Sequence, residues 1–211
     1  MQHGVPTRFF AAAAAVVVVL AVLIAPARAA DDDTQAKARA FIEGLADQAV
    51  QALTNASVPR EEREKRARVL LRENFAVPTI AQWVLGRYWR VATPAEQQEY
   101  LSLFEDLIVV TYVDRFTRYS GERLRVTRSV GMGETGDVNV FSDISNPGGS
   151  PIDIGWRVRT RDGSMKVVDV SVEGVSMGQT QRSEFASIIQ NNGGQVSGLL
   201  AEMRRRLQQA S

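Results

Sequence analysis

Two short stretches of this chain match, letter for letter, patterns that carry chemistry in other proteins. Gly174-Val175-Ser176-Met177-Gly178 spells G-x-S-x-G, the turn that presents a serine nucleophile. Gly131-Met132-Gly133-Glu134-Thr135-Gly136 spells G-x-G-x-x-G, the loop that cradles a dinucleotide pyrophosphate. Each needs a partner that the sequence withholds. A serine nucleophile requires a base to take its proton, and the chain's single histidine is His3. A Ser176–Lys166 pair is formally available but has no spacing to support it. A pyrophosphate loop must be followed by a helix whose N-terminus faces the phosphates. Here Asp137 to Ile144 alternate as a strand instead. The glycines are therefore read as a hairpin connection, and Ser176 or Thr180 as the cap of a following helix.

The remaining inventory narrows the chemistry further. There is no cysteine, which removes disulfides, thiolate metal sites, Cys nucleophiles and a lipoprotein anchor. Without His or Cys a chain lacks the usual base near neutral pH and the commonest zinc ligands. Carboxylates, Lys37, Lys65, Lys166, Tyr, Ser and Thr are left, and no carboxylate pair has the spacing of a glycosidase site. No cofactor and no metal are expected.

His3 matters because of where it lies. Arg8 precedes an apolar run from Phe9 to Ala25, Pro26 closes it, and Ala27-Arg28-Ala29 forms a small-x-small cleavage pattern. The run is short for a membrane span, which takes roughly 20 residues, and an acidic Asp31-Asp32-Asp33 follows it. Residues 1–29 thus read as a cleaved signal peptide and 30–211 as one exported domain, working in the periplasm. Removing Arg8 and Arg28 from 25 Lys+Arg leaves 23 against 24 Asp+Glu, a net charge of −1. That balance argues against nucleic acid, which demands a cationic excess.

The elements follow from period and punctuation. Phe41, Ile42, Leu45, Ala46, Ala49, Val50 and Leu53 form a helical stripe from about Thr34 to Thr54. Pro59 opens a charged helix with Val69, Leu70, Leu71 and Phe75 on its buried side. Pro78 to Leu85 is a short helix stopped by Gly86. Thr93-Pro94-Ala95-Glu96 is a capping box opening a helix to about Tyr119, with Tyr100, Phe104, Leu107, Ile108, Tyr112 and Phe116 on its apolar face. The period then becomes two. Leu124, Val126 and Val130 make one alternating set; Val138, Val140 and Ile144 a second; Ile152, Ile154, Trp156 and Val158 a third. Arg161-Asp162-Gly163-Ser164 turns tightly into a fourth, where Val168, Val170 and Val172 share a face. Two helices follow, the last finishing on Arg204-Arg205-Arg206, which complement the helix dipole there and offer charge to an acidic partner or lipid phosphate. The fold class is α+β: a twisted antiparallel sheet of about four strands wrapped by about six helices.

Leu85-Gly86-Arg87-Tyr88-Trp89-Arg90-Val91-Ala92-Thr93, then Phe104, Leu107, Tyr112 and Tyr119-Ser120-Gly121, resemble the MlaC (toluene-tolerance) family of periplasmic phospholipid-binding proteins. Val168-Asp169-Val170, Glu173-Gly174-Val175-Ser176 and Arg182-Ser183-x-Phe185 continue the resemblance across nearly the whole exported chain. The family usually has Trp where Met165 stands, and often an aromatic residue at Gln181. The resemblance implies a soluble carrier of diacyl phospholipid, with an apolar cavity between sheet and helices. It implies two partners, an outer-membrane lipid-transfer lipoprotein complex and an inner-membrane ABC-type lipid transport complex, and a role in maintaining outer-membrane lipid asymmetry.

On that basis the lipid-binding candidates are Ile152, Ile154, Trp156, Val158, Val168, Val170 and Val172 on strands, with Phe104, Ile108, Tyr112 and Ile188 on helices. Taken alone, each is as well explained as core. Arg90 and Arg182 are candidates for the mouth or for an ion pair with Asp169. Two other functions fit the composition: a periplasmic protein-binding adaptor without lipid, and a carboxylate-based envelope hydrolase.

Overall fold

Local signals set most of the element boundaries. The Thr93 hydroxyl accepts the Glu96 amide at 3.3 Å while the Glu96 carboxylate accepts the Thr93 amide at 2.9 Å, so the expected capping box is formed. Asp162 and Gly163, at φ 52° and 75°, both occupy the left-handed region that a tight two-residue hairpin demands. Gly86 takes φ 60° where the third helix stops.

The structure, a computed structural model, describes residues 25–117, 119–133, 135–145 and 149–210. The leader's apolar run falls outside the described residues apart from its last position. Six α-helices are described: α1 (Ala25–Leu53), α2 (Arg60–Asn74), α3 (Val77–Leu85), α4 (Pro94–Thr117), α5 (Met177–Asn191) and α6 (Val196–Ala210), with a 3-10 turn, Gly86–Arg90, after α3. The strands are β1 (Leu124–Met132), β2 (Asp137–Ile144), β3 (Ile152–Arg161), β4 (Ser164–Val172) and the two-residue β5 (Val175–Ser176). They pair antiparallel in chain order. The expected four-strand sheet is thus present, with β5 added at its edge.

Two bulges alter which side chains share a face. In β1 the register slips between Val126 and Arg128, so Val130 turns to the opposite side and is 46 % exposed. In β4 Val167 pairs with Val158 and Asp169 with Arg157, leaving Val168 as the inserted residue. Val167, fully buried, takes the inward position expected of Val168.

The interior has two parts. Ala38, Ile42 and Leu45 of α1 pack on Val138, Val140, Val158 and Val167. The second part is helical, built on Tyr100, Phe104, Val109, Val113, Phe185, Ile189, Leu199 and Met203. Phe75 packs against both, and the chain there forms a parallel bridge to Val167 on β4. α4 makes its close packing with other helices, α6 and α2 foremost, not with a strand. The helix laid on the sheet is α1, where the sequence suggested the aromatic α4.

Candidate functional site

The register places Val138, Val140, Ser142 and Ile144 of β2 beside Val158, Trp156, Ile154 and Ile152 of β3, and these beside Val167, Val170 and Val172 of β4. These residues form one continuous apolar face. α1 covers one end of it, where Val138, Val140, Val158 and Val167 are buried. Toward the other end the cover is uneven: Ser142 and Ile154 are still buried, Trp156, Val170 and Val172 are half-buried, and Ile152 is exposed. Ser142 is a polar residue in this apolar strip, and it is fully buried because it is satisfied. Its hydroxyl accepts the Trp156 indole N–H at 2.9 Å. That bond ties the indole of β3 to β2.

Tyr112 of α4 has an unusual setting. Its side chain is 44 % exposed, yet desolvation pushes its hydroxyl up from the ordinary tyrosine range, against a weaker opposing pull from the Arg115 charge.

The sequence-predicted residues therefore divide. Ile152, Ile154, Trp156, Val158, Val170 and Val172 share the apolar sheet face, and Val168 does not. Phe104 sits inside the helical core, edge-on to Phe185 at 6.4 Å and tilted against Tyr100 at 5.7 Å, with Ile108 packed at that core's margin. Ile188 lines a separate surface hollow of about 370 Å³ between α5 and α6, with Asn191, Asn192, Gly198, Ala201, Glu202 and Arg205. A second hollow, of about 330 Å³, lies between α1 and β1 and is largely polar. Sequence reasoning missed Val167, Met165 and Ser142 as members of the face, and left Val138, Val140 and Ile144 of its second alternating set out of the lipid-binding candidates. Val167 and Met165 are hidden by the bulge, and Ser142 by being polar in an apolar alternation.

Charged groups are mostly matched internally. Asp137, fully buried, accepts from Arg157 at 2.6 Å and from Arg159 at 2.8 Å. Burial alone would raise its carboxyl, but the hydrogen bonds from Arg159 and Arg157 outweigh it and hold it below the usual range. Arg204, Arg205 and Arg206 were expected in a last helical turn; α6 continues to Ala210, so they lie a turn earlier. Arg204 pairs with Glu99, Arg205 with Glu202, and Arg206 with Glu184 and Glu202. Asp169 does not pair with Arg182. Its carboxylate accepts the Val170 and Gly178 amides, and Arg182 donates to the Trp83 carbonyl.

The two literal motifs resolve as turns. Ser176 caps α5 by accepting the Gln179 amide at 3.0 Å, and Thr180 is spent on the Ser176 carbonyl. Gly131 to Gly136 spans the β1–β2 connection. Among the described residues no group of three or more His, Cys, Asp and Glu is placed to hold a metal ion. No helix there is long and apolar enough to cross a membrane.

The fold resembles that of a solved structure, the phospholipid-binding protein from Ralstonia solanacearum in complex with a phospholipid. It matches with a TM-score of 0.70 and 23 % identity, over 82 % of this chain and 97 % of that one, so the two share a fold. The family model described as MlaC protein matches residues 43–205, most of the chain. The chain belongs to the MlaC family. A curated relative, the intermembrane phospholipid transport system binding protein MlaC of Haemophilus influenzae, is 25 % identical over 125 residues. That alignment spans 58 % of each chain. Within this MlaC-family chain the matched span takes in every strand and all the helices except part of α1 and the last residues of α6.

Proposed function

We propose that this MlaC-family chain is a soluble phospholipid carrier of the periplasm, holding acyl chains along the apolar sheet face. In this reading it collects diacyl phospholipid from, or delivers it to, an outer-membrane lipid-transfer lipoprotein complex. At the other end of its path it meets an inner-membrane ABC-type lipid transport complex. The observation that carries the reading is the uneven cover over Ile152, Trp156, Val170 and Val172. A β-branched and aromatic face that protein does not fully cover is an apolar surface in want of a partner.

The physical demand is simple. An acyl chain of about sixteen carbons exposes apolar surface worth roughly 13 kcal/mol in water, at about 0.8 kcal/mol per CH₂. Carrying it needs a dry slot and no catalytic group. Relatives whose names specify phospholipid binding and transport support the choice of cargo. Protein purified without detergent from a periplasmic extract and sprayed under native conditions is expected to show a mass increment of one or two phospholipids. Material that is uniformly lipid-free, and that takes up no phospholipid from vesicles, would favour the adaptor reading instead.

A further inference from the structure

Trp83 is a large aromatic side chain left 45 % exposed, and the surrounding residues hold it in place. The Arg182 guanidinium lies over its ring, 5.2 Å from the centroid, and donates to its carbonyl at 3.0 Å. Two glycines provide the clearance. A Cβ at Gly178 would meet the indole at 3.0 Å, and one at Gly86 would meet the Arg182 guanidinium at 3.0 Å. The ring is thus fixed against water with most of its ordering cost already met.

The residues beside Gly178, which abuts the ring, are of the same kind. Val175 and Met177, flanking Ser176 where β5 enters α5, are 56 % and 37 % exposed. Val175 pairs with Val172, so this patch continues the apolar sheet face at its open end. Arg87 and Arg90 follow on the 3-10 turn and are exposed. Neither they nor Arg182 has a carboxylate partner among the described residues, whereas the arginines of α6 are all paired. The nearby acids are engaged with backbone amides, Asp169 with Val170 and Gly178, and Glu173 with Asp153.

We propose that Trp83, Val175 and Met177, with Arg87, Arg90 and Arg182, form a docking surface for an anionic lipid bilayer. Three arginines without acidic partners call for a negatively charged surface. An indole beside aliphatic side chains is the composition that settles at the headgroup level of a membrane. The patch deepens the carrier reading by giving the open end of the slot a lipid surface to face, yet its test does not require bound cargo.

The exported protein is mixed with vesicles of phosphatidylcholine alone, or of phosphatidylcholine with phosphatidylglycerol, and binding is read by co-flotation and by tryptophan emission. Binding is expected only to the phosphatidylglycerol vesicles, weakening with salt, with a blue shift that disappears in Trp83→Gln. Near an anionic surface each arginine contributes about fivefold in affinity, so Arg87→Gln/Arg90→Gln should bind about 30-fold more weakly. Met177→Glu, at an exposed position that the fold tolerates, should also release the protein, while Arg204→Gln should not. Failure of the wild type to bind either vesicle overturns the proposal, as does equal binding by the wild type, Met177→Glu and the double arginine variant. Loss of vesicle binding with phospholipid still in the native mass spectrum separates this surface from the slot itself.

Discussion

Replacing Val170 with Glu separates lipid binding from folding more cleanly than any other single change. Val170 pairs with Trp156 across β3 and β4, in the half-buried part of the apolar face. A carboxylate there keeps access to water, so the cost to the fold is modest, about 1–2 kcal/mol. For an acyl chain the cost is larger. A hydrated carboxylate in its path denies burial to about four methylenes, which at about 0.8 kcal/mol each is roughly 3 kcal/mol, or about 200-fold in affinity. The assay is paired: native mass spectrometry for bound phospholipid, and thermal unfolding followed by circular dichroism. Val170→Glu should emerge lipid-free with its helical signal intact, and Trp156→Glu should do the same with a greater loss of stability, since it also strips Ser142 of its indole donor. Undiminished lipid in both variants would show that the acyl chains lie elsewhere, and the argument from the sheet face would fail.

The opposite split is expected at Phe104, whose ring is closed in among Tyr100 and Phe185: Phe104→Ala should cost about 3–5 kcal/mol in denaturant unfolding while the folded fraction still carries lipid. Asp137→Asn should cost about 2 kcal/mol near neutral pH, toward the lower end for a broken buried pair because Arg157 and Arg159 reach water. With the Asp137 carboxyl held below its usual range, the wild-type advantage is complete above the unfolded aspartate value of about 3.9 and fades as pH falls from there through the native value. An advantage already lost at about pH 6 would assign it to another group. Thr93→Ala removes the cap of α4 and should lower stability by about 1 kcal/mol, read as a lower unfolding midpoint without change in lipid content.

Much of this architecture was legible because it is written in local chemistry. Thr93-Pro94-Ala95-Glu96 names its own helix start, and Asp162-Gly163 names its own turn. A histidine confined to His3 disposed of the serine motif, and the alternating strand that follows Gly136 disposed of the glycine motif, before any geometry was known. Alternation located the apolar sheet face and nine of its members, Val138, Val140 and Ile144 on β2, Ile152, Ile154, Trp156 and Val158 on β3, and Val170 and Val172 on β4. Alternation fails, however, wherever one extra residue enters a strand. The bulges at Thr127 and Val168 each invert the pattern on one side of the inserted residue, so alternation puts Val130 on the wrong face and offers Val168 in place of Val167. Partner choice was equally hidden. α1 and α4 both carry apolar stripes, and a stripe does not say whether sheet or helix will cover it. Phe104 therefore looked like a wall of the slot when it belongs to the helical core.

The bulge in β1 has a second effect. β1 is the sheet's long outer margin, whereas β4 is screened by Phe75, Ala76 and β5. An unguarded margin of that length invites another copy to add its own strand, the first step of aggregation. Here the bulge at Thr127 interrupts the regular strand edge, and the exposed Arg123, Arg125 and Arg128 add charge beside it, with Arg125 paired to Asp143 and Arg128 lying over the Phe141 ring. The same inserted residue that defeats pattern reading thereby interrupts the edge that another copy would have to extend.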